Sequence, residues 1–312
     1  MTYQIVRYCN EFMNEWDAVV QSSRNGNFLH LRHYMDYHAH RFDEQSVIVV
    51  RNGKPVAVFP CNRQGEMIVS HGGLTYAGLI YGANLHAVDV LDIFGLLSSH
   101  YRELGSRVLR YKAIPHIFHR YPAEEDLYAL FRLDARLVRR DLSSVIALDG
   151  RIKLSDSRKC TIRKAEKHGL AFVENNGLQE FHDLLEIVLA KFSTQPVHTL
   201  AELELLQSRF PKQIRLFTAW IDRQLQAGAL VYDFGHVVHT QYLASSEQGR
   251  KVGALDFVLA RLLDQVFADR RYFNFGISTE QDGRTLNEGL IFQKEGFGAR
   301  AVAQDFYEME LI

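Results

Sequence analysis

The sequence predicts two consecutive α+β domains, each with helices beside a mostly antiparallel sheet. Three observations lead to this fold class. The chain has 312 residues, which is longer than one ordinary domain. Hydrophobic residues make up 47% of the composition, enough for sizeable cores. The order of predicted helices and strands in the first half recurs in the second, although the two halves share few identical residues.

The first half opens with a predicted helix and a β-hairpin. Apolar spacing indicates a helix near Cys9 to Gln21. The runs SVIVVR and PVAVFPC then predict two strands joined by a turn at Asn52-Gly53-Lys54. A short strand around Met67 and the glycine-rich loop HGGLTYAG follow. A helical stripe from Val90 to Tyr101 and the strand-like run RVLRY complete this half.

The second half repeats this order. A helical stripe covers Leu184 to Leu189, and the runs IRLFTAWI and LQAGALVYDF flank a turn at Asp222-Arg223-Gln224. The run HVVHTQYLA predicts a third strand, the segment from Val252 to Phe267 a helix, and RYFNFG a further strand. We therefore predict an N-terminal domain over residues 1–148 and a C-terminal domain over residues 149–312.

The segment between the halves is basic. LVRRDLSSVIALD predicts a long strand, and LSDSRKCTIRKAEKHGL a helix on which Arg158 or Lys159, Arg163 and Lys167 recur at about one-turn spacing. Two interpretations remain open. The helix is a solvated crossing helix, or its cations clamp a phosphate or pyrophosphate beside an inter-domain cleft.

Composition narrows the class of partner and the compartment. A net charge of -1 and a pI near 6.9 give no global positive field, so no DNA-binding role is predicted. The N-terminus carries charges where a signal peptide needs an apolar stretch, and no run of about eighteen apolar residues occurs. We expect a cytoplasmic protein without membrane insertion. Cys9, Cys61 and Cys160 lack CxxC spacing, which favours reduced packing cysteines.

Other functional classes lack their minimum motifs. The chain has no Walker loop, no GxGxxG and no GxSxG, which argues against kinase, dinucleotide-dependent and serine hydrolase chemistry. Histidines cluster in two places without an HExxH or Cys-paired pattern, so we predict no metal site and assign them to the surface or an acceptor pocket. These histidines are His30, His33, His38, His40, His116 and His119.

The closing segment NEGLIFQKEGFGARAV has two interpretations. Its local pattern predicts a strand over Leu290 to Phe292, a solvated pair of Lys294 and Glu295, and a turn at Gly296 and Gly298. In the second interpretation Lys294 is a functional residue of a substrate site, and this interpretation depends on a resemblance to a known family.

Four segments together resemble the FemAB-like branch of the GNAT acyltransferase superfamily: SRKCTIRKAEKHGL, YLASSEQGRKVGALDF, YFNFG and NEGLIFQKEGFGAR. HGGLTYAGLIYG and LYALFRLDARLVRRDLSSV add weaker matches, so most of the chain is covered. The resemblance implies two tandem GNAT-like domains with an inter-domain cleft, and transfer of an acyl or aminoacyl group to an amine. This chemistry requires an uncharged amine, donors for the oxyanion and a cation or acid near the leaving group.

The resemblance also implies an acyl-CoA site. GNAT proteins hold pyrophosphate with backbone N–H groups of a loop that enters a helix. The matching stretch here is Arg250-Lys251-Val252-Gly253, although Leu255 replaces the small residue of that pattern. A capped helix is the alternative. Gln241, Asn274 and Gly276 are the remaining candidates for contacting acyl-CoA, with a plain turn as the alternative for Gly276.

The same resemblance assigns the catalytic residues. In HTQYLA, Tyr242 would orient a substrate or protonate the leaving group, the alternative being a half-buried strand tyrosine. Lys294 matches the lysine of a K-x-G-F-G context that points into the substrate site of Fem-type transferases. There it would neutralise an oxyanion or a phosphate in a water-poor cleft.

Acceptor-binding residues are expected in two places. Asn287 and Glu288 precede Lys294 and would bind the acceptor amine, with a turn cap or a salt bridge as the alternative. His71 and Tyr76 lie in the HGGLTYAG loop, which would face the cleft.

The sequence thus predicts a cytoplasmic N-acyltransferase. Its acyl group would come from acyl-CoA and pass to an amine of a small or nucleotide-linked acceptor, such as an amino sugar for a surface polysaccharide. Aminoacyl transfer from tRNA to a cell-wall precursor is the alternative, which the near-neutral pI and the lack of an inserted helical arm disfavour. A non-catalytic binding module with this fold is a third possibility.

Overall fold

The computed structural model describes residues 2–311 and divides into two compact units. The first consists of Met1–Asp141, Gln281–Arg284 and Ala303–Ile312, and the second of Leu142–Glu280 and Thr285–Val302. Both units combine helices with open sheets, as the predicted α+β class requires. Within residues 2–311, no helix combines the length and the apolar character needed to span a membrane.

The division differs from the predicted domains at the C-terminal end of the chain. Phe306 to Glu310 pair antiparallel with Lys112 to Val108, so the last strand completes a sheet of the first unit. Gly283 belongs to this unit as well. Its backbone lies against Arg140, since a Cβ atom at Gly283 would be only 2.1 Å from the carbonyl oxygen of Arg140. A boundary read along the sequence misses this arrangement because the paired segments are far apart in the chain.

The strands of the first unit are β1 (Tyr3–Arg7), β2 (Asp43–Glu44), β3 (Val47–Arg51), β4 (Lys54–Phe59), β5 (Asn62–Gln64), β6 (Met67–Val69), β7 (Ile80–Tyr81) and β8 (Val108–Lys112). One sheet has the order β1-β3-β4-β7, and β8, β6, β5 and β2 are consecutive neighbours in a second sheet. The helices are α1 (Met13–Ser22), α2 (Arg32–Met35), α3 (Ala87–Glu103) and α4 (Glu125–Arg132).

Local pattern explains these elements well. Asn52 and Gly53 both have positive φ, which suits the tight β3–β4 hairpin that the sequence predicts. The predicted stripe on α3 is its buried face. That face enters the core of the first unit through Val90, Ile93, Phe94, Leu97 and Tyr101.

In the second unit, the strands follow one another in the order β10-β11-β12-β13-β14-β9. The strands are β10 (Ala171–Glu174), β11 (Ile214–Ile221), β12 (Gln224–Asp233), β13 (Val237–Ser245), β14 (Tyr272–Ile277), β15 (Thr279–Glu280) and β16 (Thr285–Leu286). Two further strands, β9 (Arg136–Ala147) and β17 (Arg300–Glu310), each contain a division between the units: β9 enters the second unit at Leu142, and β17 leaves it after Val302. The helices are α5 (Asp156–Glu166), α6 (Leu178–Ala190), α7 (Leu200–Arg209), α8 (Glu247–Val252), α9 (Ala254–Arg261), followed by a π-helical turn at Leu262–Val266, and α10 (Glu288–Glu295).

The sheet of the second unit opens between β13 and β14. Its other strand pairs are antiparallel, whereas β13 and β14 are parallel and pair only over Val237–His239 and Tyr272–Asn274. β13 continues to Ser245 beyond this pairing. We call the divergence of the two strands after His239 the β13–β14 opening, and it positions the candidate site.

The strand predicted over Leu290 to Phe292 is wrong, because these residues lie in α10. The Asn287 side chain accepts the backbone N–H of Leu290 at 2.9 Å and thereby starts the helix. Phe292 is 77% exposed, so an apolar run that suggests a buried strand stands mostly in solvent.

Candidate active site

A β-bulge shapes β13 at the β13–β14 opening. Leu230 of β12 faces Tyr242, whereas the next residue, Val231, faces Thr240, so Gln241 is the additional residue. A bulge bends its strand and redirects side chains at functional sites. Gln241, a predicted acyl-CoA contact, is half-buried, and its side chain interacts with the Tyr242 hydroxyl.

The Tyr242 side chain is half-buried and has a defined partner. Its hydroxyl lies 2.7 Å from Nδ1 of His198 and accepts the backbone N–H of the same residue at 3.3 Å. Burial raises the pKa of Tyr242, which keeps the phenol protonated near neutral pH. The structure therefore places a neutral proton donor here, paired with an imidazole.

Sequence reasoning missed His198. It directly precedes Thr199, whose side chain caps α7 in a reciprocal capping box with Glu202. This Thr-x-x-Glu spacing is readable in the sequence and fixes where the loop before α7 ends. Only the fold, however, brings that loop to Tyr242.

A cavity of about 340 Å³ lies beside His198, a size suited to a small ligand. Its lining is mostly polar and contains Gln179, His182, Asp183, Glu186, Gln195, Pro196, His198, Thr199 and Leu200.

Three residues of this lining, His182, Asp183 and Glu186, bring possible cation ligands within 4.8 Å of one another. Each already has a protein partner. His182 Nε2 lies 3.2 Å from the carbonyl oxygen of His198 and its Nδ1 lies 3.6 Å from Glu186. Asp183 accepts from Gln179 at 2.7 Å.

Asn274 organises the end of β14. It is buried, and its side-chain oxygen accepts from Ser143 Oγ at 2.8 Å and from the backbone N–H of Gly276 at 2.7 Å. Gly276 has a φ of 73°, and a Cβ atom there would lie 3.1 Å from Cε1 of His239. These two predicted acyl-CoA residues therefore build the turn that directs backbone carbonyls at Lys294.

Lys294 is only 6% exposed, so the solvated alternative is wrong. Its Nζ donates to the carbonyl oxygens of Gly276 at 2.9 Å and of Ile277 at 2.7 Å. Burial lowers its pKa to about 8, which still leaves the ammonium largely charged at neutral pH. An ammonium has three donors, so one N–H remains for a ligand.

Within residues 2–311, three buried polar atoms of β13 and of the residue that follows β14 lack a hydrogen-bond partner: His239 Nδ1, Thr240 Oγ1 and Ser278 Oγ. Burial, and then the charge of Lys294, lowers the pKa of His239 to about 4, so the ring is neutral. Unpaired buried polar groups are costly. Such atoms are candidates for contacting a ligand, and the sequence pattern points to none of the three.

The segment predicted to be a pyrophosphate-binding loop is mostly helical. Arg250, Lys251 and Val252 are helical, within the six-residue α8. Arg250 donates to the carbonyl oxygen of Ser245 at 3.1 Å, Lys251 pairs with Glu247 at 3.1 Å, and Val252 is buried. The sequence predicts one helix from about Val252 to Phe267, whereas in the structure Val252 ends α8 and α9 begins only after Gly253. The role of Arg250, Lys251 and Val252 in acyl-CoA binding stays a prediction.

Gly253 separates α8 from α9 and contacts α5. It has a φ of 78°, and a Cβ atom there would lie 2.6 Å from Cγ2 of Thr161. Close packing of α5 therefore requires glycine at this position, independently of any ligand.

The basic helix α5 is partly structural. Arg158 donates to both carboxylate oxygens of Asp256 at 2.9 and 2.8 Å, and Lys164 donates to the carbonyl oxygen of Lys251 at 2.9 Å. Arg163 and Lys167 are exposed. The clamp interpretation stays a prediction for the exposed cations, while Arg158 fixes α5 on α9.

The acceptor residues predicted near Lys294 have structural roles. Asn287 caps α10 and also donates to Glu280 Oε1 at 2.7 Å, as its alternative interpretation predicts. Glu288 is exposed in the first turn of the same helix. Acceptor binding by either residue stays a prediction.

In the first unit, the predicted acceptor residues are buried. Tyr76 accepts from Asn27 at 3.2 Å and packs against Phe118 with 4.6 Å between ring centroids. His71 is also buried. Of the clustered histidines, expected at the surface or in an acceptor pocket, three are at the surface, and for the three buried ones the acceptor pocket stays a prediction. His33, His40 and His116 are exposed, and His30, His38 and His119 are buried.

Comparison with known proteins identifies the fold. Residues 156–282 match a family described as an acetyltransferase (GNAT) domain. FemX is similar over 98% of this chain and 97% of its own, with a TM-score of 0.69 and 12% identity. L-PGS from Bacillus licheniformis is similar over 94% of this chain and 90% of its own, with a TM-score of 0.61 and 13% identity.

A tandem GNAT protein from the clavulanic acid biosynthesis pathway is similar over the full chain and 99% of its own, with a TM-score of 0.52 and 9% identity. A comparison with curated protein sequences gives no significant match. The chain thus has a GNAT-type acyltransferase fold, and it is built from tandem GNAT-like units. The predicted resemblance to the FemAB-like branch is confirmed at the level of fold.

Proposed function

We propose that this protein is an N-acyltransferase that moves an acyl group from acyl-CoA to an amine of a small or nucleotide-linked acceptor. The reaction takes place at the β13–β14 opening of the second unit. The observation that carries the proposal is the buried ammonium of Lys294, held by two backbone carbonyls at the end of β14.

The opening suits an acyl carbonyl. Past His239, β13 no longer pairs with β14, and the bulge at Gln241 alters the direction of its backbone groups. Unpaired backbone N–H groups at such a strand polarise a thioester carbonyl. The unpartnered His239 Nδ1, Thr240 Oγ1 and Ser278 Oγ supply further polar groups in the same region.

Lys294 stabilises the oxyanion. The acceptor nitrogen attacks the carbonyl carbon, and negative charge develops on the carbonyl oxygen before the C–S bond breaks. The remaining N–H of Lys294 donates to that oxygen, or to a phosphate of the substrate. A buried cation is more effective in this role than an exposed one, because water screens it less.

Tyr242 protonates the leaving group. Its raised pKa keeps the proton on the phenol until the thiolate departs, and His198 at 2.7 Å holds the hydroxyl in place. The proton from the acceptor amine leaves to solvent or to a nearby base. The cavity beside His198, with Asp183 and Glu186 in its wall, suits the acceptor amine.

We take the chemical class of the acceptor from the resemblance to the FemAB-like branch, which implies that the acceptor is an amine. An amino sugar, free or nucleotide-linked and intended for a cell-envelope polysaccharide, satisfies the requirement for an amine. Because acyl-CoA is a cytoplasmic metabolite, we place the reaction in the cytoplasm.

A second candidate is aminoacyl transfer from tRNA to a cell-wall precursor. The fold likeness to FemX favours it, and so do the exposed cations Arg163 and Lys167 on α5. The phosphate backbone of tRNA is held by such cations, and binding of this kind weakens steeply with salt.

Titration of the protein with acetyl-CoA and with charged tRNA distinguishes the two candidates. The proposal expects saturable acetyl-CoA binding and transfer to an amine. Tight, strongly salt-dependent tRNA binding without acetyl-CoA binding would favour the second candidate.

Substitution at Lys294 tests the chemistry. Lys294→Ala is expected to lower turnover by roughly ten- to a thousandfold, as for the loss of one oxyanion-stabilising group, and to retain the fold. Lys212→Ala, at an exposed lysine of the same unit, is the matched control and keeps full activity. An unchanged rate in Lys294→Ala would remove this lysine from the mechanism, and a protein that binds acyl-CoA without turnover on any amine would be a binding module.

A further inference from the structure

The first unit contains a buried cation without a carboxylate partner. Lys112, the last residue of β8, is 7% exposed. Its Nζ donates to the carbonyl oxygen of Leu74, and within residues 2–311 it has no salt-bridge partner. One carbonyl satisfies only one of the three donors of an ammonium. Buried charges are normally paired, so this side chain is in an unusual environment.

An unpaired imidazole lies nearby. His71 follows β6 and is 1% exposed, and its Nδ1 is buried without a partner. The ring is 5.0 Å from Phe42 and 5.7 Å from His38, measured between centroids. Its φ is 39°, a conformation that costs energy for any residue except glycine. The fold therefore holds this polar ring in the interior on a backbone conformation that is uncommon for non-glycine residues.

The backbone of β6 and β8 brings these two residues together. The strands are parallel and pair from Met67 with Val108 to Val69 with Arg110. Ser70 then accepts the backbone N–H of Lys112 at 2.7 Å, and the chain loops out through His71 and returns where Ala77 donates to the carbonyl oxygen of Lys112 at 3.1 Å. The loop thus surrounds the end of Lys112.

Several basic side chains lie around this loop, although Arg32 pairs with Asp36 at 2.6 Å and Glu44 at 3.2 Å, and Arg139 pairs with Asp141 at 2.8 Å. Besides burial, the groups that lower the pKa of His71 are His38, Lys112, Arg32 and His30. Burial and the neighbouring Arg139 lower the pKa of Lys112 to about 7. The largest contributions to the pKa of His71, and those printed for Lys112, come from burial and from basic groups. An anion is the species that would satisfy both side chains at once.

We infer that Lys112 and His71 form an oxyanion-binding site in the first unit, which accepts a carboxylate or a phosphate group of a small molecule. The ammonium and one imidazole N–H donate to the anion. Gly72 is exposed and Gly73 half-exposed, so solvent reaches the loop at these two residues. The site is independent of the acyl transfer proposed for the second unit.

Binding at this site is coupled to protonation of Lys112. An anion favours the charged ammonium, so it raises the pKa of Lys112 above its value of about 7 in the free protein. The protein therefore takes up protons when it binds an anion at a pH somewhat above 7. His71 remains neutral in this range because its pKa is far below the ordinary value. Affinity consequently increases as the pH falls toward neutrality.

Isothermal titration calorimetry with inorganic phosphate and, separately, acetate tests the inference. Wild-type protein should bind at least one of the two, and the comparison shows whether the site takes phosphate or carboxylate groups. Repeating the titration near pH 8 in buffers with different ionisation enthalpies should reveal proton uptake. Lys112→Met should weaken binding by about tenfold or more, as expected when a charged donor is lost. Lys54→Met, at an exposed lysine of the same unit, should bind like wild type.

A second variant guards against misfolding of Lys112→Met, which circular dichroism would detect. His71→Asn should weaken anion binding while Lys112 is still present. The inference is overturned if wild-type protein binds neither anion, if binding is unaffected by both substitutions, or if no proton is taken up.

Discussion

The Nζ of Lys294 donates to the carbonyl oxygen of Ile277 at 2.7 Å, so a charged side chain of α10 is held at the end of β14. Because its pKa is lowered to about 8, the proposed oxyanion donor loses its proton within an accessible pH range. We expect kcat/KM for acetyl-CoA to fall as the pH rises through about 8. Lys294→Arg, if active, should move this descending limb to higher pH, since guanidinium stays charged. An identical limb in Lys294→Arg would assign it to another group.

The same pKa predicts how stability depends on pH. An unfolded lysine titrates near 10.5, whereas Lys294 titrates near 8 in the folded protein, so between these values the unfolded state binds more protons. The free energy of unfolding contributed by this residue therefore rises from about pH 8 to about pH 10.5. Urea unfolding at both ends of this range should show a smaller rise in Lys294→Met than in wild type. Equal rises in the two proteins would contradict the lowered pKa.

His239 should make the protein sensitive to acid. Its folded pKa is about 4, well below its ordinary value of 6.5, so the unfolded state binds more protons between these values. Its contribution is present above pH 6.5 and is lost as the pH falls toward 4. His30 and His119 have similar pKa values and add to the loss. His239→Gln should unfold in urea with a weaker dependence on pH between 7 and 5 than wild type. A dependence as steep as that of wild type would mean that His239 titrates normally.

Gly253→Ala should destabilise the second unit. The added Cβ meets Thr161 Cγ2 at 2.6 Å, and the φ of 78° disfavours any side chain. We expect a loss of about 1–3 kcal/mol in the free energy of unfolding. Gly95→Ala on the exposed face of α3 is the matched control, since its Cβ would have no atom within 4 Å. That substitution should instead stabilise by roughly 0.5–1 kcal/mol. Similar effects at both positions would argue against the close packing of α5.

Tyr242 and His198 should behave as one unit in catalysis. Tyr242→Phe removes the proposed proton donor and is expected to lower kcat by about 10²–10⁴-fold. His198→Asn should have a smaller effect, because it only disturbs the position of the hydroxyl at 2.7 Å. If the histidine acts through the tyrosine, adding His198→Asn to Tyr242→Phe should change kcat little further. Multiplicative losses in the double variant would show that the two side chains act separately.

The sequence predicts those elements whose determinants are local. The β3–β4 hairpin depends on two residues that tolerate positive φ, and α3 depends on a regular apolar stripe. The strand predicted over Leu290 to Phe292 failed because three apolar residues fit either period, and the cap at Asn287 decided the outcome.

The candidate site is less readable because its contacts are long-range. Lys294 was selected through the resemblance in QKEGFG, but its carbonyl partners Gly276 and Ile277 lie on another element. His239, Ser278 and Lys112 have no distinctive sequence context, and only burial without a partner draws attention to the first two. Such properties are set by the folded neighbours of a residue rather than by its position in the sequence.

The pairing of Phe306–Glu310 with β8 has a consequence for how the protein is made. A ribosome delivers β8 long before it delivers Phe306–Glu310, the segment that covers the edge of β8. Until then, β8 exposes unpaired backbone groups of the kind that promote aggregation. A nascent chain of this protein therefore gains from a chaperone that shields that edge until Phe306–Glu310 have emerged.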